Sequence, residues 1–167
     1  MPWLTVNKNI ALALTIQKKT KQEIKKRVEK IIKLVNLEEF KDYYPARLSG
    51  GMKQLTALSR AFISDTQILL LDEPFAFLDA LTREKMNNQL LSLWQRKRKT
   101  IILVTHSIKE AVFLADKVLI ISKRPGKIKK IVKIDLPRPR RLSILNSQKF
   151  NLEVKNIKKL LDANSPA

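Results

Sequence analysis

Two acids and the only histidine of the sequence stand at the ends of two apolar runs. Asp72 and Glu73 follow the run Gln67–Leu71, and His106 follows Thr100–Thr105. A run without polar alternation is typical of a strand buried on both faces of a parallel sheet. Ligands bind at the carboxyl ends of such strands, and neighbouring strands lie about 5 Å apart. We therefore expect the three side chains to converge, with one carboxylate holding magnesium, the other orienting water and the imidazole touching phosphate.

Each of these groups also has an ordinary structural interpretation. An Asp-Glu pair by itself is usually a solvated strand end, and a lone histidine is more often structural than catalytic. Their shared location at strand ends favours a site, because that is where sites are expected in such folds. Phosphoryl transfer is the chemistry that this set of side chains could perform.

A third group, Ser49-Gly50-Gly51, has the composition of a helix start. Apolar and small residues continue at helical spacing from there to about Ser64. The first N–H groups of a helix have no partner within it, and the helix dipole is positive at that end. Such an end attracts anions, so the Ser-Gly-Gly group is a candidate phosphate contact.

The remaining segments have the periodicity of an α/β protein. Strand, helix and strand follow one another after residue 66, which implies a right-handed parallel crossover. We predict helices within 1–16 and over 20–35, 37–44, 49–64, 81–95, 108–115 and 150–161, strands over 67–71, 100–105, 117–122 and 127–134, and an irregular basic connector over 136–141.

Several short signals mark where these elements begin and end. Thr20–Glu23 and Ser107–Glu110 are capping boxes, and Asn36 is expected to stop the helix that begins at Thr20. Arg96–Lys99 is predicted to be a basic loop. Pro125-Gly126 has the residues for the two central positions of a type II turn, so the last two strands should form a hairpin.

Composition and charge narrow the class of protein. The 167 residues have no cysteine, no apolar run of about 18 residues and no signal-peptide pattern, so we expect a cytoplasmic protein with one core. The net charge of +19 is compatible with a nucleic-acid partner. The basic residues are mostly lysines spread along the chain, which favours compositional bias, and we do not expect nucleic acid to be the partner.

Three motifs together resemble those of ATP-binding-cassette (ABC) ATPases. The stretch LSGGMKQ resembles their signature motif, ILLLDEPFAFLDA resembles their Walker B strand, catalytic glutamate and D-loop, and LVTHS resembles their switch histidine. Order and spacing match from about Pro2 to Arg141. The resemblance implies a partial α/β fold of the P-loop NTPase class: a helical subdomain over 1–47, a signature helix and RecA-like core over 48–141, and a C-terminal connector and helix over 142–167.

The resemblance also implies ATP and magnesium as cofactors. Asp72 would hold the magnesium ion, partly through water. Glu73 would polarise the attacking water, and His106 would clamp the γ-phosphate.

Other residues would act across a dimer. The resemblance implies that Ser49, Gly50 and Gly51 contact the γ-phosphate of ATP held by the opposite subunit. Asp79 would communicate between the two sites. The preceding pair Ala76-Phe77 departs from the small residues expected there, because Phe77 is bulky at a turn that would face the dimer.

The implied assembly is an importer of the nitrate, sulfonate or taurine branch. Partners would be transmembrane permease subunits, a second ATPase subunit and, indirectly, a solute-binding protein outside the membrane. The protein would then be peripheral, at the cytoplasmic face of the cell membrane.

The sequence lacks a P-loop, G-x-x-x-x-G-K-[ST], whose glycine N–H groups and lysine hold the phosphates. Glycines occur only at 50, 51 and 126, and the single Gly-Lys pair is followed by Ile128. The Q-loop glutamine of the family also has no counterpart. We therefore expect no ATPase activity from the chain alone, and a sheet with an exposed edge or face.

Three interpretations remain open at this stage. The chain is a truncated or split ATPase subunit of an importer, or a non-enzymatic accessory that docks on a permease or an intact subunit. The third interpretation is a basic nucleic-acid-binding protein derived from the same part of a cassette ATPase.

Overall fold

Three helices make up most of the first part of the chain, and a hydroxyl side chain caps the start of each. In every case the cap oxygen accepts a hydrogen bond from the backbone N–H three residues later, which satisfies one of the free donors of the first turn. Thr20 is thus a helix cap as predicted, but the Glu23 carboxylate of the predicted capping box pairs with Arg27 and Lys19. The helices are α1 (Val6–Ile16, capped by Thr5), α2 (Lys21–Leu34, capped by Thr20) and α3 (Gly50–Ile63, capped by Ser49).

The computed structural model describes residues 1–162, which form two compact units. The first unit comprises Met1–Ile102, and the second begins at Leu103. In the first unit α1 packs against both α2 and α3. Apolar side chains of these helices that are no more than 2% exposed, Ile10, Leu14 and Phe62 among them, form much of its core.

The predicted helix over Leu37–Tyr44 is wrong beyond one short turn. Asn36 stops α2 as predicted, with a left-handed φ of 54°. After it, only Glu38–Phe40 forms a 3-10 turn. The helix does not continue because the next carbonyl groups bond elsewhere: the N–H groups of Val6 and Asn7, free at the start of α1, donate to the carbonyls of Tyr43 and Lys41 at 2.9 and 2.8 Å.

Strands β1 (Ile68–Asp72) and β2 (Thr100–Val104) form a two-stranded sheet, with α4 (Ala80–Lys97) between them in sequence. The N–H of Thr100 donates to the carbonyl of Gln67 at 3.0 Å. The two strands therefore start side by side, as the predicted parallel crossover requires.

Burial on both faces, which the apolar run predicted for β1, is wrong. Leu69 and Leu71 are buried, whereas Ile68 is 56% and Leu70 75% exposed. The alternation arises because the side chains of a strand point to opposite faces, and only one face of this sheet is covered. The predicted exposed face is thus confirmed.

The segment Arg96–Lys99, predicted to be a basic loop, is mostly the end of a helix. Helix α4 continues to Lys97 and ends at Arg98, which has a left-handed φ of 47°. Lys99 is buried, and its Nζ donates to the carbonyl of Ser64 at 2.5 Å. Its own carbonyl accepts from Trp94 Nε1 at 2.9 Å. These bonds satisfy polar groups that burial would otherwise leave unpaired.

The second unit contains a helix, a hairpin and a closing helix, as predicted. The antiparallel hairpin pairs Leu119 with Ile131 and Ile120 with Lys130. The connector over 136–141 is irregular, also as predicted. The elements are α5 (Ile108–Leu114), β3 (Lys117–Ile121), β4 (Ile128–Lys133), a 3-10 turn (Leu142–Asn146) and α6 (Gln148–Asp162).

The hairpin turn is not the predicted type II turn. A type II turn needs a positive φ at its third residue, and Gly126 does not have one. Ser122 closes the loop instead: its Oγ donates to the carbonyl of Pro125 at 2.8 Å and accepts from the N–H of Lys127 at 2.9 Å. A side-chain oxygen thus replaces the backbone bond of the expected turn.

Within residues 1–162, no helix combines the length and apolar character that crossing a membrane requires.

An ion-pair network joins α2 to the residues that follow α3. Asp65 accepts a hydrogen bond from Arg27 at 2.6 Å, and Lys19 lies 3.0 Å from its other oxygen. The bond from Arg27, with a second from Lys19, lowers the pKa of Asp65 from 3.8 to about 2. Arg27 also donates to the carbonyl of Ile63 at 2.5 Å, so the network ties the end of α3 to α2.

We predict that Asp65 makes stability depend on pH in a defined window. Because the folded pKa lies below the unfolded one, its contribution is present above about pH 4 and is lost as the pH falls towards 2. Urea unfolding of Asp65→Asn should show lower stability than the wild type at pH 6 and a much smaller difference at pH 2. Asp42→Asn, an exposed acid outside the network, serves as the control; an equal Asp65→Asn deficit at both pH values would contradict the prediction.

Candidate functional site

The Ser-Gly-Gly group forms the start of α3, as its composition predicted. Ser49 is exposed, and its Oγ accepts from the N–H of Met52 at 3.3 Å. The helix begins at Gly50, so the N–H groups of Gly50 and Gly51 belong to the first turn, which has no internal acceptors. The structure therefore presents backbone donors at the positive end of a helix dipole, an arrangement suited to phosphate.

Space, rather than conformational freedom, explains the glycine at 51. A Cβ there would lie 3.2 Å from Thr82 Cγ2, closer than ordinary packing permits. A Cβ at Gly50 would meet Leu78 Cδ2 at 3.7 Å, an ordinary contact. Gly51 thus lets the start of α3 approach the start of α4.

Asp79, the acid predicted to act across a dimer, has a local role in the fold. It caps α4, and its Oδ1 accepts from the N–H of Thr82 at 2.9 Å. Hydrogen bonding to Thr82 holds the pKa of Asp79 below its ordinary value. Its carboxylate is exposed and lies beside the turn that contacts Gly50. Its predicted role between subunits stays a prediction.

Arg83 is a residue that sequence reasoning missed. Its guanidinium donates to the carbonyls of Phe75, Ala76 and Leu78, at 3.3, 3.4 and 2.8 Å respectively. These bonds hold the turn that connects β1 to α4. A cation in the first turn of a helix is disfavoured by the dipole, and that conflict was the signal available in the sequence.

Asp72 and Glu73 lie at the carboxyl end of β1, and both side chains are exposed. Glu73 has a positive φ of 40°, uncommon for a residue with a side chain and more so before Pro74. Its carbonyl accepts from the N–H of Ala76 at 3.2 Å, and the neighbouring Phe75 is only 2% exposed. A buried aromatic anchors the turn while the acid is held outward in a strained backbone, a combination that is concentrated at functional sites.

His106 lies in a tight connection between β2 and α5. The N–H of Ser107 donates to Thr105 Oγ1 at 3.1 Å. Ser107 Oγ accepts from the N–H of Glu110 at 3.3 Å, so Ser107 caps α5 as predicted, without the return bond of a full capping box. The imidazole is exposed. His106 belongs to the second unit and the two acids to the first, so their convergence stays a prediction.

The donors at the end of β1 suit magnesium as part of a larger set. Within residues 1–162, no three acidic, His or Cys side chains are grouped to hold a metal by themselves. Magnesium is usually held by one or two carboxylates together with water and substrate phosphates. Asp72 and Glu73 supply carboxylate oxygens of this kind, so they fit the ion.

Two arginines of the irregular connector hold the end of α5, the helix that follows His106. Arg140 has a side chain only 1% exposed, and burial lowers its pKa from 12.5 to about 10. Arg140 and Arg138 donate to the carbonyls that the last turn of α5 leaves without helix partners. The bonds run from Arg140 to Val112 (3.2 Å), Phe113 (3.1 Å) and Ala115 (2.8 Å), and from Arg138 to Leu114 (2.7 Å).

Comparison with known proteins agrees with the motifs. The ABC transporter family profile matches residues 1–76. A solved dimeric ATP-binding cassette, MJ0796 bound to ADP and phosphate, superposes with a TM-score of 0.65 at 30% identity, over 82% of this chain and 60% of that chain. The chain therefore has part of the α/β fold of ABC ATPases, which are P-loop NTPases, and is homologous to ABC transporter ATP-binding domains.

Two curated relatives show sequence similarity over most of this chain. The ABC transporter ATP-binding protein MJ0412 of Methanocaldococcus jannaschii, itself uncharacterised, is 47% identical over 159 residues, which are 95% of this chain and 60% of that protein. The aliphatic sulfonates import ATP-binding protein SsuB of Bacillus cereus is 45% identical over 139 residues, 83% of this chain and 54% of its own length. The chain thus spans somewhat more than half the length of the relatives it matches.

We predict that Asp79 contributes to stability as a cap, separately from its charge. Asp79→Ala removes the acceptor for the Thr82 N–H and should lower the urea midpoint. Asp79→Asn keeps an equivalent cap and should stay close to the wild type. If both variants lose stability equally, the carboxylate charge and not the cap is the important feature.

We predict that Arg140→Leu destabilises the chain by about 3 kcal/mol or more, because several buried carbonyls lose a charged donor. Arg141→Leu, at the exposed neighbouring arginine, should change stability by less than about 0.5 kcal/mol. Urea unfolding followed by circular dichroism measures both. Equal effects of the two substitutions would contradict the structural role of Arg140.

Proposed function

We propose that this chain is an ATP-binding subunit, or the part of one that carries the signature motif, of an ABC importer. Its role is to couple ATP binding and hydrolysis to uptake of a solute of the sulfonate, nitrate or taurine type. One observation carries the proposal: the start of α3 presents exposed Ser49 and the N–H groups of Gly50 and Gly51, and it packs beside the turn that ends at Asp79. The SsuB relatives, named for import of aliphatic sulfonates, support the choice of solute class.

In the proposed reaction the exposed groups at the end of β1 act on ATP. Asp72 holds magnesium, which when bound neutralises the charge of the phosphates. Glu73 orients the attacking water, and the strained turn keeps its carboxylate outside the sheet. His106 contacts the γ-phosphate.

Two subunits share each nucleotide in this proposal. Ser49–Gly51 contact the γ-phosphate of ATP bound by the opposite subunit, and Asp79 lies at the interface. The dimeric state of the solved cassette supports this arrangement. The assembly includes permease subunits in the membrane, to which this chain binds at the cytoplasmic face.

The 167 residues contain no P-loop, so phosphate binding at the end of β1 needs another polypeptide segment. A pair of such chains provides two signature groups and no P-loop. Hydrolysis therefore depends on a polypeptide that supplies one.

A second candidate function follows from the same asymmetry. The Ser49–Gly51 group is formed entirely by residues of this chain, whereas the phosphate-binding loop is not. The chain could then be an accessory that lends its signature face to an intact ATPase subunit without hydrolysing ATP at Glu73.

One experiment separates the two functions. We predict no magnesium-dependent ATPase activity from the chain alone, and activity after assembly with a polypeptide bearing the P-loop. Glu73→Gln should reduce that activity at least about 100-fold, because the group that orients water is lost. Glu84→Gln, at an exposed acid of α4, is the matched control and should leave it unchanged.

Each alternative outcome has a definite meaning. Activity of the isolated chain that Glu73→Gln abolishes would overturn the need for a P-loop partner. Activity of the assembly that Glu73→Gln leaves intact would favour the accessory function.

A further inference from the structure

One side chain of α4 bonds to most of the turn that separates the acids at the end of β1 from the acid that caps α4. The half-buried guanidinium of Arg83 donates through Nε to the carbonyl of Phe75 at 3.3 Å. Its Nη2 donates to the carbonyls of Ala76 and Leu78 at 3.4 and 2.8 Å. The backbone N–H of the same residue donates to the carbonyl of Asp79 at 2.9 Å. Arg83 therefore bonds to four of the five residues from 75 to 79.

The first end of this turn is Glu73, whose backbone is strained. Glu73 has a φ of 40° and precedes Pro74. Its carbonyl accepts from the N–H of Ala76 at 3.2 Å, and the carbonyl of Ala76 in turn accepts from Arg83. Such a φ persists only where the surrounding structure fixes it. The guanidinium thus helps to set the direction in which the Glu73 carboxylate leaves the strand.

The other end of the turn lies against the start of α3. The Leu78 side chain is the nearest neighbour of a Cβ placed at Gly50, at 3.7 Å. The shortest bond of the Arg83 side chain, 2.8 Å, goes to the carbonyl of this same leucine. All of these residues belong to the first unit. Arg83 therefore connects the acid at the end of β1 with the surface that carries the Ser-Gly-Gly group.

We propose that Arg83 is a positioning residue for hydrolysis, which fixes the Glu73 carboxylate relative to the start of α3 without contacting the nucleotide. This inference rests on the proposed function, in which Glu73 orients the attacking water. A group with that role must lie within hydrogen-bond reach of the water. A misplacement of about 1 Å can lower a rate about 100-fold. Loss of Arg83 would leave the Glu73 carboxylate chemically unchanged but misplaced.

Two simpler roles for Arg83 fit the geometry less well. A cation in the first turn of a helix opposes the helix dipole, so the position of Arg83 does not by itself stabilise α4. An ion pair does not describe it either, because the acceptors of its guanidinium are carbonyls. A guanidinium is a planar fork whose donors reach several acceptors at once, whereas a lysine ammonium is a point charge. The role therefore requires the shape of the fork in addition to its charge.

Hydrogen exchange in the full chain tests whether Arg83 holds the turn. In Arg83→Ala the N–H of Ala76 should exchange at least about 10-fold faster, because the turn opens locally more easily. The N–H of Leu58, within α3, reports the change that a general loss of stability would cause. Arg96→Ala, at an exposed arginine in the last turn of α4, is the matched control and should leave exchange at Ala76 within about twofold.

ATP hydrolysis by the assembly with a polypeptide bearing the P-loop tests the positioning itself. Arg83→Ala should lower kcat at least about 30-fold per folded complex, because the water-orienting group is misplaced. It should leave KM for ATP within about threefold, because the nucleotide contacts are unchanged. Arg83→Lys keeps the charge but not the fork, so it should stay impaired. It replaces Arg83→Ala if circular dichroism shows that the alanine variant does not fold.

Chemical rescue separates positioning from a general structural effect. Guanidinium ion at millimolar concentration can occupy the space that Arg83→Ala vacates, and it should restore part of kcat. It should not restore Glu73→Gln, in which the carboxylate itself is lost.

The outcomes are read separately for the turn and for the reaction. Exchange at Ala76 that rises no more than exchange at Leu58 overturns the proposal. So does a kcat of the Arg83→Ala assembly within about twofold of the wild type, because positioning would then not matter to the rate. An assembly in which even the wild-type chain hydrolyses no ATP counts against the proposed function, and exchange at Ala76 then decides whether Arg83 holds the turn.

Discussion

The close approach of α3 to the start of α4 at Gly51 is the constraint on which the candidate site depends. A Cβ at this position would lie 3.2 Å from the Thr82 methyl group, so any other residue would require the Thr82 side chain to shift by a few tenths of an ångström. The approach brings two features together: the free N–H groups of the first turn of α3 and the exposed carboxylate that caps α4. A candidate phosphate contact and an acid thus lie close together through packing, without any direct bond between them.

The turn between β1 and α4 is held from inside the chain, which explains how it can present exposed acids. Arg83 binds three of its carbonyls, and Phe75 is buried beneath it. With both fixed, the backbone at Glu73 keeps a positive φ that a free loop would relax. Phe77, in the same turn, is fully exposed, so the bulky residue that departs from the family pattern points outward and leaves this local packing intact.

Local signals in the sequence predicted the structure well where the cause was local. Capping residues at Thr20, Ser49 and Ser107 placed helix starts correctly, because a cap depends on its own next three residues. Predictions were wrong where groups that are distant in the sequence determine the local structure. The carbonyls of residues 41 and 43 bond to α1, which ends the expected helix, and a serine side chain replaces the expected turn at Gly126.

The prediction that β1 is buried on both faces was wrong for a different reason. An apolar run predicts how a strand is covered in its complete fold, and here one face of that strand is open. Motif residues, by contrast, were located correctly at strand and helix ends. The sequence signals Arg83 only as a cation near the start of a helix, and its acceptors are backbone groups that only the folded turn brings together.

Some of the Lys and Arg side chains bind backbone carbonyls within the fold, and this limits the charge that a binding partner could contact. Five cations donate to backbone carbonyls at element ends: Arg27 and Lys99 just at and after the end of α3, Arg83 in the turn before α4, and Arg138 with Arg140 at the end of α5. Helix C-termini carry partial negative charge and unpaired carbonyls, so a buried or half-buried cation stabilises them. Side chains bonded in this way cannot also contact the phosphate backbone of a nucleic acid.

A nucleic-acid interface would need the opposite distribution, with guanidinium groups clustered and exposed on one face. Arg140, which has the most backbone bonds of these cations, is buried, whereas Arg27, Arg83 and Arg138 are half-buried, so these charges lie within the frame of the fold and not on one exposed basic face.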